Sequence, residues 1–213
     1  MTKEQFIAAL KELNITLSPE QQQKLEQFYH LLVEWNEKIN LTRITSEEDV
    51  YLKHFYDSLT IVKVVDLNKV HTLCDVGTGA GFPGIVLKIA FPHLKITLID
   101  SLQKRVNYLN SIIKDLSLNE IEAIHSRGED YHEKFDVVTA RAVANIEKLL
   151  TYTMHLVNNQ GVLVAMKANI TEELNQAVQQ KINRKYTIKK IEQFSLPYEN
   201  SIRSLVVISN KTK

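Results

Sequence analysis

The chain has 213 residues, is 44% hydrophobic and carries a net charge of +1. That suffices for one large core with a small appendage and argues against tight binding to naked nucleic acid. No run of about 20 apolar residues is long enough to span a membrane, Met1-Thr2-Lys3-Glu4-Gln5 lacks a signal-peptide profile, and the single cysteine, Cys74, excludes a disulfide framework or cysteine-rich zinc site. A cytoplasmic, metal-free monomer is expected.

Helical signals dominate the N-terminal part of the chain. Thr2-x-x-Gln5 and Ser18-Pro19-x-Gln21 read as helix starts, the second with proline at the first helical position. Leu25, Phe28, Leu31, Leu32 and Trp35 then repeat at helical spacing. Ser46-Glu47-Glu48-Asp49 opens a third helix, with its acids on the positive end. From Val70 the period changes. Strand-like runs at 70–75, 95–100, 121–124, 135–140 and 162–167 alternate with helical stretches near 83–91, 102–117, 145–157 and 170–181, the pattern of βαβ units in a parallel sheet. Two further runs, 186–191 and 205–208, have no helix between them and predict a closing antiparallel pair. The expected architecture is α/β: a small helical cap over 1–66 and a Rossmann-like, seven-stranded domain over 67–213, with ligands at the carboxyl ends of its strands. Charge is uneven along the chain. Residues 1–60 hold 6 basic and 10 acidic side chains, whereas 181–213 hold 8 basic and 2 acidic. The basic end suits phosphate binding and equally a solvated strand pair.

The most informative segment is Asp75-Val76-Gly77-Thr78-Gly79-Ala80-Gly81-Phe82-Pro83-Gly84. It reads as a strand ending in a carboxylate, a turn of alternating glycines, and a helix opening on Pro83. Such a turn lets a ligand lie against bare backbone. Gly79-x-Gly81-x-x-Gly84 satisfies the dinucleotide fingerprint, with Asp100 ending the next strand at about the expected distance. Asp75-x-Gly77-x-Gly79-x-Gly81 equally fits the acidic loop of S-adenosylmethionine (SAM) methyltransferases. Electrostatics favours SAM. The phosphates of a dinucleotide would stand close to Asp75, whereas the sulfonium and ammonium of SAM are attracted to it. Asp100 is placed to accept hydrogen bonds from ribose hydroxyls in either case, and an NAD(P)-dependent oxidoreductase stays the alternative from another class.

Several segments together resemble the glucose-inhibited division protein B family, methyltransferases of guanine N7 in 16S ribosomal RNA. They are Leu31–Thr42, Lys53-His54-Phe55-Tyr56-Asp57-Ser58-Leu59, Asp75–Gly84, Asp100-Ser101-Leu102-x-Lys104-Arg105, Ser126-Arg127-x-Glu129 and Arg141-Ala142. The resemblance implies the class I SAM-dependent methyltransferase fold, SAM as donor, and 16S rRNA of the small ribosomal subunit as partner. By the same resemblance Gly77 and Phe82 match the cofactor loop, Gly128-Glu129 the dipeptide near the adenine, and Arg141 the arginine after the fourth strand. The chain departs from the family at Gly128, where a small apolar residue is common, and at Ala168, where glycine is usual after Lys167. A methyltransferase of another substrate class remains the alternative within this fold.

Guanine N7 has an in-plane lone pair and no proton, so its methylation requires alignment rather than a general base. The place of the Asn/Asp-Pro-Pro-aromatic turn of exocyclic-amine enzymes reads Thr139-Ala140-Arg141-Ala142, and Cys74 lies inside the first strand, where it reads as core rather than nucleophile. Arg141 and Arg127 are the arginines expected at the catalytic mouth, contacting the guanine carbonyl or a phosphate. The competing reading is a surface ion pair with Glu129 or Asp136. Lys167, at a strand end, is a candidate phosphate contact or an ordinary solvated lysine. His54 and Asp57 read as ties between cap and core before they read as cleft residues. Tyr29 and Trp35 read as core packing, and Asn36 and Asn40 as capping or turn residues. N7 in an A-form helix faces a groove that side chains cannot enter, so the target is expected in a loop or extruded, presented by the assembled subunit.

Overall fold

The computed structural model describes residues 1–168, 170 and 173–211. Both N-terminal helix signals are realised. In α1 (Lys3–Leu10) Thr2 and Gln5 close a capping box, and in α2 (Pro19–Ile39) Ser18 and Gln21 do the same behind Pro19. Asn40 ends α2 in the left-handed conformation, the capping role expected of it. Ser46 caps α3 (Glu47–Val50), which runs without a break through a π-helical segment, Tyr51–Tyr56, into α4 (Asp57–Leu59).

The remaining chain forms one seven-stranded sheet of order β3-β2-β1-β4-β5-β7-β6. The strands are β1 (Thr72–Val76), β2 (Lys95–Asp100), β3 (Ile121–His125), β4 (Phe135–Arg141), β5 (Val157–Lys167), β6 (Tyr186–Ser195) and β7 (Ile202–Asn210). All pairs from β3 to β5 are parallel, and β7 inserts antiparallel between β5 and β6. The connecting helices are α5 (Gly84–Ala90), α6 (Gln103–Asp115), α7 (Ile146–Thr153) and α8 (Gln176–Lys185). The order reverses between β1 and β4, which puts the ligand crevice over the carboxyl ends of those two strands.

Several boundaries differ from the sequence reading, three of them for a local reason. The helix opens at Gly84, with Pro83 as its cap residue. The strand expected from 162 begins at Val157, because the polar stretch Asn158-Asn159-Gln160 extends β5 beyond the buried layer and Gly161 lies where a Cβ would come within 2.6 Å of Asp136 O. The helix expected over 170–181 is α8, which starts only where the Asn175 side chain accepts from Val178 N; positions 169, 171 and 172 of that expectation lie outside the described residues.

Two apolar layers sandwich the sheet. One joins the cap, through Phe6, Leu25, Phe28 and Phe55, to Phe82, Leu98, Tyr108 and Val164. The other joins α7 and α8, through Leu149 and Ile182, to Val138, Leu163 and Val206. Phe28 is fully buried between Phe55 and Phe82, with ring centroids 5.7 and 5.3 Å away, so the cap packs directly on the glycine turn. Phe28→Ala is expected to destabilise the protein by about 3–5 kcal/mol, read as a lower urea midpoint with an unchanged slope.

Candidate active site

The chain leaves β1 through a turn in which Gly77, Gly79 and Gly81 all have positive φ, at 69°, 61° and 92°. Gly77 N and Thr78 N donate to Ile99 O, binding the turn to the end of β2. Asp75 is fully buried beneath it. Its Oδ2 accepts from Thr78 Oγ1 at 2.7 Å and Gly84 N at 2.8 Å, whereas Oδ1 is buried with no partner among the described residues. Burial raises its pKa to about 6, against the opposing pull of those two hydrogen bonds. Gly84 has to be glycine here, because a Cβ would overlap Leu98 and press on the Asp75 carboxylate at 3.0 Å. Gly79, by contrast, has only Gly77 O, at 4.0 Å, near the position of its Cβ, so that side of the turn is uncrowded.

Asp100 ends β2 as expected, but its carboxylate is already engaged. Oδ2 accepts from Gly79 N at 3.0 Å and lies 3.4 Å from Arg105, and Oδ1 accepts from Leu102 N at 3.0 Å. It shapes the glycine turn with lone pairs still unused. Gly128 is buried where a Cβ would meet Tyr152 O and Val76 Cγ1, each at 2.8 Å, a packing reason for the family departure at this position.

The three basic candidates separate. Arg127 is 72% exposed, with Glu129 3.9 Å away, the loose surface pair that competed with a catalytic role. Lys167 is 11% exposed and donates to Ala144 O and, at 3.2 Å, to Glu173 Oε1, so it is not a solvated lysine. Arg141 pairs with neither Glu129 nor Asp136. Its NH1 donates to Lys53 O at 3.0 Å and Asp57 Oδ2 at 3.2 Å, NH2 lies 3.2 Å from His54 Nδ1, and the guanidinium sits 5.1 Å from the Phe82 ring centroid.

Asp57 holds a second arginine, Arg203 of β7, through Nε to Oδ1 at 3.1 Å. Asp57 is legible as a tie or a cleft residue, whereas Arg203, between Ile202 and Ser204 of β7, gives no local signal. His54 is stacked on Phe82 at 4.4 Å and is kept neutral, its pKa pushed down to about 3 by burial and by Arg141. Nδ1 lies 3.2 Å from both Arg141 NH2 and Lys53 O, and Nε2 lies 3.0 Å from Thr42 Oγ1, so both ring nitrogens are engaged. Trp35 packs edge-on to Tyr108, Asn36 Oδ1 accepts from Thr42 N, and Cys74 is buried with its thiol pKa pushed up, all as the sequence reading had them. Tyr29 is partly buried against the cap's core, and its hydroxyl donates to Thr45 O.

Around this cluster lies a cleft of about 520 Å³, lined by Lys53, His54, Arg141, Met166, Lys167 and Arg203 among others. It covers the carboxyl ends of β4 and β5, beside the glycine turn after β1. Ala142, directly after Arg141, is held at φ 52°, strained backbone at the cleft edge.

A parallel sheet reversing at β1, a glycine turn over a buried acid and an acid ending β2 define a class I methyltransferase fold. A solved structure, a SAM-dependent methyltransferase from Aquifex aeolicus, matches it with a TM-score of 0.58 at 16% identity, covering 83% of this chain and 97% of its own. The family profile of rRNA small subunit methyltransferase G (GidB) matches residues 21–206. Ribosomal RNA small subunit methyltransferase G of Bacillus pumilus is 46% identical over 218 residues, 99% of this chain and 91% of that one. The Bacillus subtilis protein of the same name is 46% identical over 215 residues, 98% and 90% of the two chains. The chain belongs to the rRNA small subunit methyltransferase G family and is an rRNA methyltransferase. No helix among its described residues is long and apolar enough to cross a membrane.

His54 makes stability pH-dependent. Its folded pKa of about 3 lies below the ordinary value of 6.5, so its contribution is complete above 6.5 and is lost as pH falls toward 3. Asp75, raised from 3.8 to about 6, acts in the opposite sense over part of that window. The wild type is therefore expected to lose more unfolding free energy between pH 7 and pH 5 than His54→Gln, in which the Asp75 contribution is common to both; urea titrations at each pH make the comparison.

Proposed function

We propose that the protein methylates N7 of a guanosine in 16S rRNA, with SAM as donor and the small ribosomal subunit as substrate. The observation that carries the cofactor assignment is the unpartnered, buried Oδ1 of Asp75 under an open glycine turn. A buried carboxylate oxygen without a donor suits a cationic ligand and opposes a pyrophosphate. SAM supplies a methyl group activated by its sulfonium. Asp75 would hold the cationic end, Gly79 would offer uncrowded backbone in the turn that Gly77, Gly81 and Phe82 complete, Asp100 would receive the ribose hydroxyls, and Gly128 with Glu129 would lie near the adenine.

On the acceptor side the work is orientation. Arg141 is locked by Lys53 O, Asp57 and His54, with its remaining N–H groups available to the guanine carbonyl next to N7. Lys167 ties the loop after β4 to Glu173 and so sets the wall of the cleft. Arg127, on the open surface, reaches phosphate of the surrounding RNA. No residue has to remove a proton, and His54, neutral and hydrogen-bonded, is not needed as a base.

Transfer of labelled methyl from SAM to small subunits lacking the modification, followed by nucleoside analysis, tests the reading. Label is expected in 7-methylguanosine; label in another nucleoside would reassign the acceptor. Arg141→Ala is expected to lower kcat/KM roughly 5- to 150-fold, the range for losing one arginine–guanine contact. Cofactor binding should also release a proton. A cation at Oδ1 favours the ionised form, so SAM affinity in calorimetry rises from pH 5 and levels off above about 6, and Asp75→Asn removes that dependence.

A further inference from the structure

We propose that the groove between α7 and α8 is a second RNA-binding surface, which takes a stretch of the substrate's sugar-phosphate strand away from the reacting base. The inference rests on the rRNA reading of the catalytic site and adds where the rest of the substrate lies. The groove has a volume of about 540 Å³ and carries four cations on its rim, Lys148, Lys181, Arg184 and Lys185, against one carboxylate, Glu147. Glu147 is already neutralised by Lys181. Lys148, Arg184 and Lys185 are exposed and make no ion pair among the described residues.

Helix electrostatics accounts for part of this pattern only. Arg184 and Lys185 lie in the last turn of α8, where a cation is favoured by the dipole. Lys148 lies in the first turn of α7, after the cap residue Asn145, where a cation is disfavoured. The fold therefore places Lys148 against its local preference and opposite the α8 cations, which converge on one groove. Leu150 and Ile182 form an apolar floor, and the half-buried ring of Tyr186 lines one side. Cations over an apolar and aromatic bed are what a single nucleic-acid strand requires.

Position supports the same occupant. α7 follows β4, the strand that ends in Arg141, and the α7–α8 layer lies on the face of the sheet opposite the cap. The basic C-terminal part of the sequence is thereby divided. Arg203 is bound by Asp57 and Lys190 by Glu192, whereas Lys181, Arg184 and Lys185 face the groove.

The test is a variant with three neutralisations, Lys148→Gln, Arg184→Gln and Lys185→Gln, compared with wild type on small subunits and on protein-free 16S rRNA over a range of salt. SAM affinity and kcat at saturating subunit are expected to stay unchanged. KM for the RNA substrate is expected to rise about tenfold, and the slope of log(kcat/KM) against log salt to shrink by about 2, three lost phosphate contacts on a single strand. An unchanged KM and slope would overturn the proposal. A defect confined to subunits and absent with protein-free rRNA would assign the groove to an acidic ribosomal protein and overturn it equally. Were wild type to transfer no methyl to either substrate, the catalytic reading would fail separately, and binding of a fluorescent single-stranded rRNA fragment would decide the groove: equal affinity of wild type and variant would refute it.

Discussion

The Asp75 carboxylate is the constraint on which the site depends. It stands one residue before the end of β1, at the point where the sheet order reverses, and it accepts from Thr78 Oγ1 and Gly84 N across the glycine turn. One oxygen thus joins the entry and exit of a loop whose left-handed residues would otherwise sample many conformations. The cost is a buried carboxylate with one idle oxygen, destabilising in isolation and suited to a cation. Structure and ligand preference therefore have the same origin. The turn whose N–H groups bind Ile99 O and Asp100 also leaves the Cβ side of Gly79 uncrowded.

The cap is bound to that turn by packing and by charge. Phe28 and Phe55 pack near Phe82, and His54 stacks on it. Arg141, from the end of β4, reaches Lys53 O and Asp57 in the π-helical and following segments. π-helical turns often occur at functional sites, and this one carries the residues that meet Arg141. Two arginines on one buried carboxylate leave a local excess of positive charge at the cleft, suited to an electron-rich base edge and its phosphates. Neutral His54 is consistent with this arrangement, since a second cation beside Arg141 would be repelled.

The overall charge of +1 hides a division of labour. The acidic N-terminal part places many of its carboxylates in first helical turns and in i,i+4 pairs such as Lys24–Glu20 and Lys53–Asp49, which stabilise modestly and leave little net field. The basic C-terminal part is distributed between the arginine bound to Asp57 and the groove beside α8. A weak global charge with two concentrated basic regions is an arrangement that an extended RNA would meet at both places and a short fragment at one.

Features governed by neighbours in the chain were legible in the sequence. Capping boxes, glycine spacing and hydrophobic period depend on short-range sterics and hydrogen bonding, so Thr2, Ser18, the Asp75–Gly84 turn and the βαβ alternation could all be read directly. The closing antiparallel pair was legible for the same reason, but not the insertion of β7 between β5 and β6, which satisfies the sheet edge and is a long-range choice. The candidate site divides along the same line. Residues within the glycine motif were found by spacing. The partnership of Arg141 with Asp57 and Arg203 was not, because they are brought together from β4, the cap and β7 over separations of 84 and 146 positions. Lys167 likewise looked like a strand-end lysine until folding set it against Ala144 O and Glu173. Local physics determined which backbone could cradle a ligand; only tertiary packing, by desolvating particular charges and choosing their partners, decided which side chains surround it.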